Sequence, residues 1–271
     1  MENYPQVSII TIVYNGEQHI ADTIRSVIAQ NYPNLEYIIV DGGSTDNTLG
    51  IVTQFGTAVT TIISEKDEGI SDAFNKGLQR AKGEIIGMIN ADDWYEEGAV
   101  KKAVSAMEDS DDVVSDVVYG DLRLWRGDAT DFIYTGSHSH LEKEMTVNHP
   151  TVFVRKSCYD QFGLFDKQYK CAMDYDLLLR FMVNKCRFRH IPSVLANMRW
   201  EGLSDSRWML GVRETLAIKD HYFPERKLRH RIYFYKHVLA ISLPRLLKRF
   251  GLSFLTRIYR ANLSRVRKIY E

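Results

Sequence analysis

Apolar residues over the first hundred positions follow two alternating rhythms. Val7–Val13 (VSIITIV), Leu35–Val40 (LEYIIV), Val59–Ser64 and Glu84–Ile89 (EIIGMI) are short, nearly continuous β-rich runs, the pattern of strands covered on both faces. Between them Ile20, Ile24, Val27 and Ile28 recur at helical spacing. Ser44 or Thr45 is placed to cap a helix running towards Phe55, and further helices are expected over Ile70–Ala81 and from about Glu96 to Met107. The middle is less regular: short strands at Val117–Gly120, Asp131–Tyr134 and Thr151–Val154, a helix at Asp174–Val183 and a late strand at Val194–Met198. After Pro224 the chain turns basic and helical, with breaks at Pro244 and Gly251.

Strand and helix in strict alternation imply an α/β fold with a mainly parallel sheet flanked by helices. Ligands of such sheets bind beyond the carboxyl ends of the strands. That rule puts Tyr14, Asn15, Asp41, Glu65, Asp67, Asn90, Asp92 and Asp93 along one rim.

Charge changes the picture of the chain's end. The net charge is zero, yet 13 of the 35 Lys+Arg and two of the 35 Asp+Glu fall between His221 and Glu271, leaving 22 and 33 before them. A basic tail on an acidic body suggests two jobs, and residues 1–222 and 223–271 are taken as separate parts. In the tail, Leu228, Ile232, Tyr235 and Leu239, then Leu246, Leu247 and Phe250, form apolar faces beside Arg and Lys. Such a helix can lie on an anionic membrane, or pack on the preceding domain or a second subunit to make a homodimer. The tail has no nucleic-acid reading motif, so no nucleic-acid partner is expected. Cys158, Cys171 and Cys186 cannot all pair and none lies in a CxxC, which points away from a disulfide framework or a zinc site. No leader of basic then apolar residues and no run of about 18 apolar residues is visible. The expected location is cytoplasmic, in the cytosol or at the cytosolic face of the inner membrane.

Two constellations carry candidate chemistry. Asn90-Ala91-Asp92-Asp93 follows a buried strand, and adjacent carboxylates there need a cation or hydrogen bonds to offset their repulsion. Oxygen ligands in a short acidic turn suit magnesium or manganese shared with a diphosphate; the other reading is a cap on the following helix. In Asp41-Gly42-Gly43-Ser44-Thr45-Asp46, glycine lets the backbone turn sharply towards a ligand, and Asp41 could accept hydrogen bonds from a base or ribose. The other reading is a capped strand-to-helix turn. There is no GxGxxG after the first strand and no GxxxxGK[ST], which counts against dinucleotide enzymes and phosphate-loop NTPases.

Taken in order, VSIITIVYNGEQHI, SVIAQNYPNLEYIIVDGGSTDNT, EKDEGISDAFNKGLQRAKGEIIGMINADDW and MDYDLLLR make the chain resemble family 2 glycosyltransferases, inverting enzymes with a GT-A fold. The resemblance covers roughly residues 5–220, in the variety that builds bacterial surface polysaccharides such as lipopolysaccharide. It implies transfer of a sugar from a nucleotide diphosphate donor, UDP by family expectation, to a glycan or lipid-linked acceptor, with a divalent metal (Mn2+ or Mg2+). By position, Thr11, Tyr14 and Asp41 would line the nucleotide pocket, Glu65 and Asp67 would close its other side, and Asn75 and Lys76 would follow, Lys76 meeting a phosphate. Asn90-Ala91-Asp92 stands where the family has DxD, making Asp92 the principal metal ligand, Asp93 its extension and Asn90 a holder of ribose or metal-bound water. Asp174 matches the catalytic base, although Met173 replaces the Glu that usually precedes it. Asp176 sits four residues before Arg180, a structural pairing on a helix. Glu201 takes the place of a His that can complete the metal shell, and His149 matches a position near the acceptor. Two rivals remain: a sugar nucleotidyltransferase, disfavoured because Val13–Glu17 is not a basic glycine-rich loop, and a non-catalytic nucleotide-sugar-binding scaffold.

Overall fold

A computed structural model describes residues 4–108, 114–127, 129–199 and 207–249. The chain divides into two compact units, Met1–Gly202 and Leu203–Glu271.

The first unit is built on a single sheet. Strands β1 (Val7–Val13), β2 (Leu35–Asp41), β3 (Thr61–Ser64) and β4 (Ile85–Asn90) are parallel, in the spatial order β3-β2-β1-β4. Helices α1 (Ile20–Ile28), α2 (Thr48–Thr53) and α3 (Ile70–Arg80) make the crossovers. Every residue of β1 except Ile12 is buried, which is why its sequence reads as an unbroken apolar run. Helix α1 buries Ile20, Thr23, Ile24 and Val27, one stripe at helical spacing. Each fully buried aliphatic side chain stabilises by about 1.5–3 kcal/mol, so this two-faced core dominates the stability of the unit.

The second half adds strands of mixed direction. Strand β8 (Val152–Arg155) runs antiparallel beside β4, and β6 (Val117–Arg126) antiparallel beside β8. Strand β9 (Phe188–Arg199) is parallel to β6, the two-residue β5 (Trp94–Tyr95) edges β9, and β7 (Ala129–Tyr134) pairs with the far side of β6. Helices α4 (Ala99–Glu108), α5 (Lys156–Phe162) and α6 (Met173–Val183) connect them. β9 begins six residues before the expected Val194. The pairing passes from Tyr119↔His190 to Asp121↔Val194, so Pro192 falls in an irregular stretch where its missing N–H breaks no ladder bond.

The second unit contains α7 (Trp208–Tyr222) and α8 (Lys227–Arg249), joined through a 3-10 turn at Pro224–Arg226. The Lys219 ammonium lies 4.3 Å from the centre of the Tyr233 ring, and Asp220 is 2.8 Å from His230 Nδ1. These contacts group α7 with α8, so the division falls about twenty residues before the expected 222/223 boundary. Among the described residues no helix is long and apolar enough to cross a membrane. Leu246, Leu247 and Phe250 of the expected second apolar face lie outside the residues whose side chains are described.

Helix α3 approaches the sheet through Gly77, where a Cβ would stand 2.5 Å from Ile10 Cγ2 and 3.4 Å from Val40 Cγ2. Gly77→Val should therefore lower stability by about 1–3 kcal/mol through overpacking, read as an earlier denaturant midpoint. An unchanged midpoint would show that the helix can lift off the sheet without cost.

Candidate functional site

Register brings the strand ends to one level. Val13 pairs with Asp41, Asp41 with Ser64, and Ile12 with Asn90, so the loops after β1, β2, β3 and β4 leave the same edge of the sheet. They are laced together. Asn15, with φ of 51°, gives its N–H to Ser44 Oγ at 2.8 Å and takes the N–H of Thr45 on Oδ1 at 2.8 Å. Gly16 N–H donates to Thr48 Oγ1 at 2.8 Å, Glu17 N–H donates to Asp46 Oδ2 at 3.1 Å, and the Glu17 carboxylate accepts the Asn47 N–H at 2.9 Å. Gly42 leaves room for Asp67: a Cβ there would lie 2.3 Å from Asp67 Oδ2 and 3.6 Å from Tyr14 Cδ2. Tyr14, 64% exposed, thus stands over a floor of Gly42 backbone and Asp67, an open aromatic face beside an acceptor. Such a face can stack a nucleobase.

The acidic loop after β4 is held by its carbonyls. Thr23 Oγ1 donates to the carbonyls of Ala91 (2.9 Å) and Asp93 (2.7 Å). Arg199, at the end of β9, donates to the carbonyl of Asp92 at 2.5 Å, reaches Asp22 at 3.2 Å and lies 4.5 Å over the Trp94 ring. With these carbonyls occupied, the half-buried Asp92 carboxylate has no hydrogen-bond partner among the described residues. Asp93 does the opposite: it is 1% exposed, its Oδ1 has no partner, and Oδ2 lies 3.4 Å from the donating Asn90 Nδ2. Burial, and then the Asp92 charge, raise its carboxyl well above the usual range despite Asn90 and Arg199. A carboxyl so enclosed presents almost no surface to a metal held at the rim by Asp92, which sets it apart from the expectation that it extends the metal site. Glu201 lies outside the described residues. Among those described, no cluster of three acids, histidines or cysteines could hold a metal. Asp92 alone suits a hard cation only where a diphosphate and water supply the remaining oxygens, a usual arrangement for magnesium.

Asp174 comes to this unit from far along the chain. It occupies the first turn of α6, where its Oδ1 accepts the Tyr175 N–H at 2.8 Å. Burial pushes its carboxyl up to about 6, opposed by the helix N–H groups that favour the anion. Met173 is buried, and Asp176 is buried and bonded to Arg180, whose guanidinium also donates to the Phe162 and Leu164 carbonyls (3.1 and 2.7 Å). Asp174 is therefore the one acid of MDYD not tied to a basic side chain. The segment leading into α6 is stitched to α3. Asn75 exchanges two 2.9 Å bonds with the Phe165 backbone, Ser71 Oγ donates to the Tyr169 carbonyl at 3.3 Å, and Lys167 bridges Glu68 (2.8 Å) and Asp72 (3.2 Å). His149 packs against Phe74 and Phe165, with ring centres 5.1 and 6.1 Å apart, and desolvation pushes its imidazole down to about 4. It is a neutral residue of a separate 3-10 turn, His149–Thr151, whose ring packs against Phe74 of this same helix.

Several expected pocket residues have other work. Thr11 is fully buried with Oγ1 3.1 Å from the Tyr37 hydroxyl, so it offers a nucleotide no surface. Asp41 is also fully buried. It accepts the N–H groups of Gly43 (3.2 Å) and Ser44 (3.1 Å) and the Ser64 hydroxyl (2.7 Å), closing the turn instead of facing a base. Lys76 bonds the Glu65 carboxylate (3.0 Å), Asp72 (3.4 Å) and the Lys66 carbonyl (2.9 Å). Burial works to lower its ammonium, but those carboxylates outweigh it and the pKa is raised. It braces the loop after β3 rather than meeting a phosphate, and Glu65 is its partner. Asn75 likewise supports the approach to α6, with both ends of its amide bonded to the Phe165 backbone. Tyr14, Asp67, Asn90 and Asp92 stay on the rim, and Arg199 joins them as a residue whose role only the fold reveals.

The sequence model described as Glycosyl transferase family 2 matches residues 8–163, more than half of the chain. An uncharacterized glycosyltransferase of Haemophilus influenzae is 30% identical over 219 residues, covering 74% of this chain and 68% of that protein. An uncharacterized glycosyltransferase of Rickettsia typhi is 28% identical over 200 residues, covering 69% of this chain and 62% of that protein, so this chain spans less than two thirds of that relative's length. Among solved structures, S. aureus TarS 1-349 in complex with UDP-GlcNAc aligns with a TM-score of 0.66 at 19% identity, over 87% of this chain and 75% of that one. The mannosyltransferase PcManGT from Pyrobaculum calidifontis, in complex with GDP-Man and Mn2+, aligns with a TM-score of 0.60 at 17% identity, over 98% and 77%. At such identities the likeness shows a shared fold, the mostly parallel sheet flanked by helices of GT-A glycosyltransferases.

Two outcomes follow from this geometry. Asn75→Ala removes both bonds to Phe165 and should cost about 1–3 kcal/mol in a denaturant melt; an unaltered melt would dissociate Asn75 from the loop. The His149 imidazole is neutral when folded but titrates near 6.5 when free. The unfolded chain therefore takes up a proton that the folded chain refuses, and stability present above pH 6.5 is lost as pH falls towards 4. His149→Phe should lessen that acid loss relative to the unmodified chain, measured by paired melts at neutral and mildly acidic pH.

Proposed function

Given that the chain belongs to glycosyl transferase family 2, we propose that it is an inverting glycosyltransferase. It moves a sugar from a nucleotide diphosphate donor, a UDP-sugar, to a hydroxyl of a glycan or lipid-linked acceptor in surface-polysaccharide synthesis. The observation that carries the reading is the pairing of an unpartnered carboxylate on the strand-end rim, Asp92, with an isolated carboxyl of raised pKa, Asp174, on a segment tied to α3. The alignment with structures holding UDP-GlcNAc and GDP-Man supports a nucleotide-sugar ligand on this rim.

The donor's base stacks on Tyr14, with Asp67 beside it accepting a hydrogen bond, and the diphosphate runs towards Asp92. A divalent cation held by Asp92 and the diphosphate oxygens would neutralise charge on the leaving group; the manganese in the PcManGT complex supports this choice. Thr23 and Arg199 fix the backbone from which Asp92 projects, so the carboxylate is oriented before substrate arrives. Asp174 takes the acceptor hydroxyl's proton as the acceptor oxygen bonds to the anomeric carbon. The bond from that carbon to the diphosphate oxygen breaks on the opposite face, and the nucleoside diphosphate leaves with the electron pair. A carboxyl near 6 is ionised at neutral pH yet is a stronger base than an exposed aspartate, and its enclosed setting accommodates the protonated product form.

Asp174→Asn should abolish transfer, a loss of about 10²-fold or more, while leaving donor affinity within about twofold. In the unmodified enzyme kcat/KM should fall below about pH 6 as the base protonates. Retained turnover in the variant, or a flat profile from neutral pH well into the acid range, would remove Asp174 from the reaction.

A further inference from the structure

The two faces of α8 differ sharply. One stripe, His230, Tyr233 and His237, is buried or half-buried, and two of its members contact α7 through Asp220 and Lys219. On the opposite face Leu228, Ile232, Tyr235 and Leu239 recur at i, i+4, i+7 and i+11 and are 75%, 49%, 69% and 63% exposed. A stripe this long and this apolar is not covered by the described residues of the unit. Arg231 borders it on one side, Lys236 and Arg229 on the other. All three are exposed and form no ion pair among the described residues, and α8 contains no acid.

We propose that this face of α8 is a docking surface for an anionic lipid bilayer, with Leu228, Ile232, Tyr235 and Leu239 entering the headgroup–acyl boundary and Arg229, Arg231 and Lys236 meeting lipid phosphates. The proposal does not depend on how the donor site is read. A second copy of the chain is a poorer occupant, because face-to-face contact would set three exposed cations against the same three. A polyanion such as nucleic acid would satisfy the cations but leave the apolar stripe in water. Only a surface that is apolar beneath a negative layer satisfies both.

The test is co-sedimentation of the full chain with vesicles of phosphatidylcholine alone and of phosphatidylcholine mixed with phosphatidylglycerol. Binding to the mixed vesicles, weakened by salt, is expected. Each basic residue at such a surface is worth about fivefold in partitioning, so Arg229→Ala with Arg231→Ala and Lys236→Ala should weaken it roughly a hundredfold. Ile232→Ser with Leu239→Ser, which alters only exposed positions, should weaken it at least tenfold with the far-UV circular dichroism unchanged. Asp174→Asn should bind as the unmodified chain does, separating this surface from the transfer reaction. No binding to the mixed vesicles, or binding indifferent to either surface variant, would overturn the proposal. So would a dimer in analytical ultracentrifugation that the two serine substitutions dissociate in a chain showing no vesicle binding.

Discussion

Asp41 is an acid with no exposed surface at the end of the second strand of a parallel sheet. A buried carboxylate is tolerable only when its oxygens are satisfied. Here the donors are two backbone N–H groups of the turn it begins and the hydroxyl of Ser64 on the neighbouring strand. Folding the turn back to satisfy Asp41 sets Ser44 where its hydroxyl takes the Asn15 N–H, and brings Gly42 against Asp67 and Tyr14. Three loops are thus fixed by one buried charge. The rim is preorganised because its internal polar groups are spent on each other, leaving Tyr14 and Asp92 directed outwards.

The other half of the site depends on a different arrangement. Helix α3 lies on the sheet through Gly77, and its outer side holds the 165–172 segment through Asn75, Ser71 and Asp72. That segment delivers α6 with Asp174 in its first turn. Asp174 is remote in sequence from the strands of the rim but is coupled to them through one helix. Arg199 performs a comparable service for the acidic loop from the end of β9. Residues beside the site act by placing the two carboxyl groups, and the cost of losing them would be paid in geometry before chemistry.

Much of this was legible in the chain. The strands β1, β2 and β4 were readable to within a residue or so, because burial on both faces writes a continuous apolar run. Asp92 and Asp174 were readable as candidates because their motifs fall in order at suitable spacing. What failed depended on partners far away in sequence. Thr11 looked like a pocket residue, but β1–β2 register sets it within reach of Tyr37, and only register decides that. Asn75 finds its partner 90 residues later, and Arg199 reaches a carbonyl 107 residues earlier. Asp93 looked like an extension of the Asp92 site, yet it is buried while Asp92 is only half-buried. The pairing of Lys76 was legible beforehand: Asp72 stands at i−4, a helical ion-pair spacing visible without a structure.

On the proposed reading the strand-end rim binds a nucleoside diphosphate with help from a cation held by Asp92. Calorimetric titration of UDP into the purified chain, with and without manganese, tests it most directly. Binding should strengthen with manganese and be lost in Asp92→Ala while the variant's fold is retained. Equal UDP binding by Asp92→Ala and the unmodified chain in the presence of manganese would contradict it.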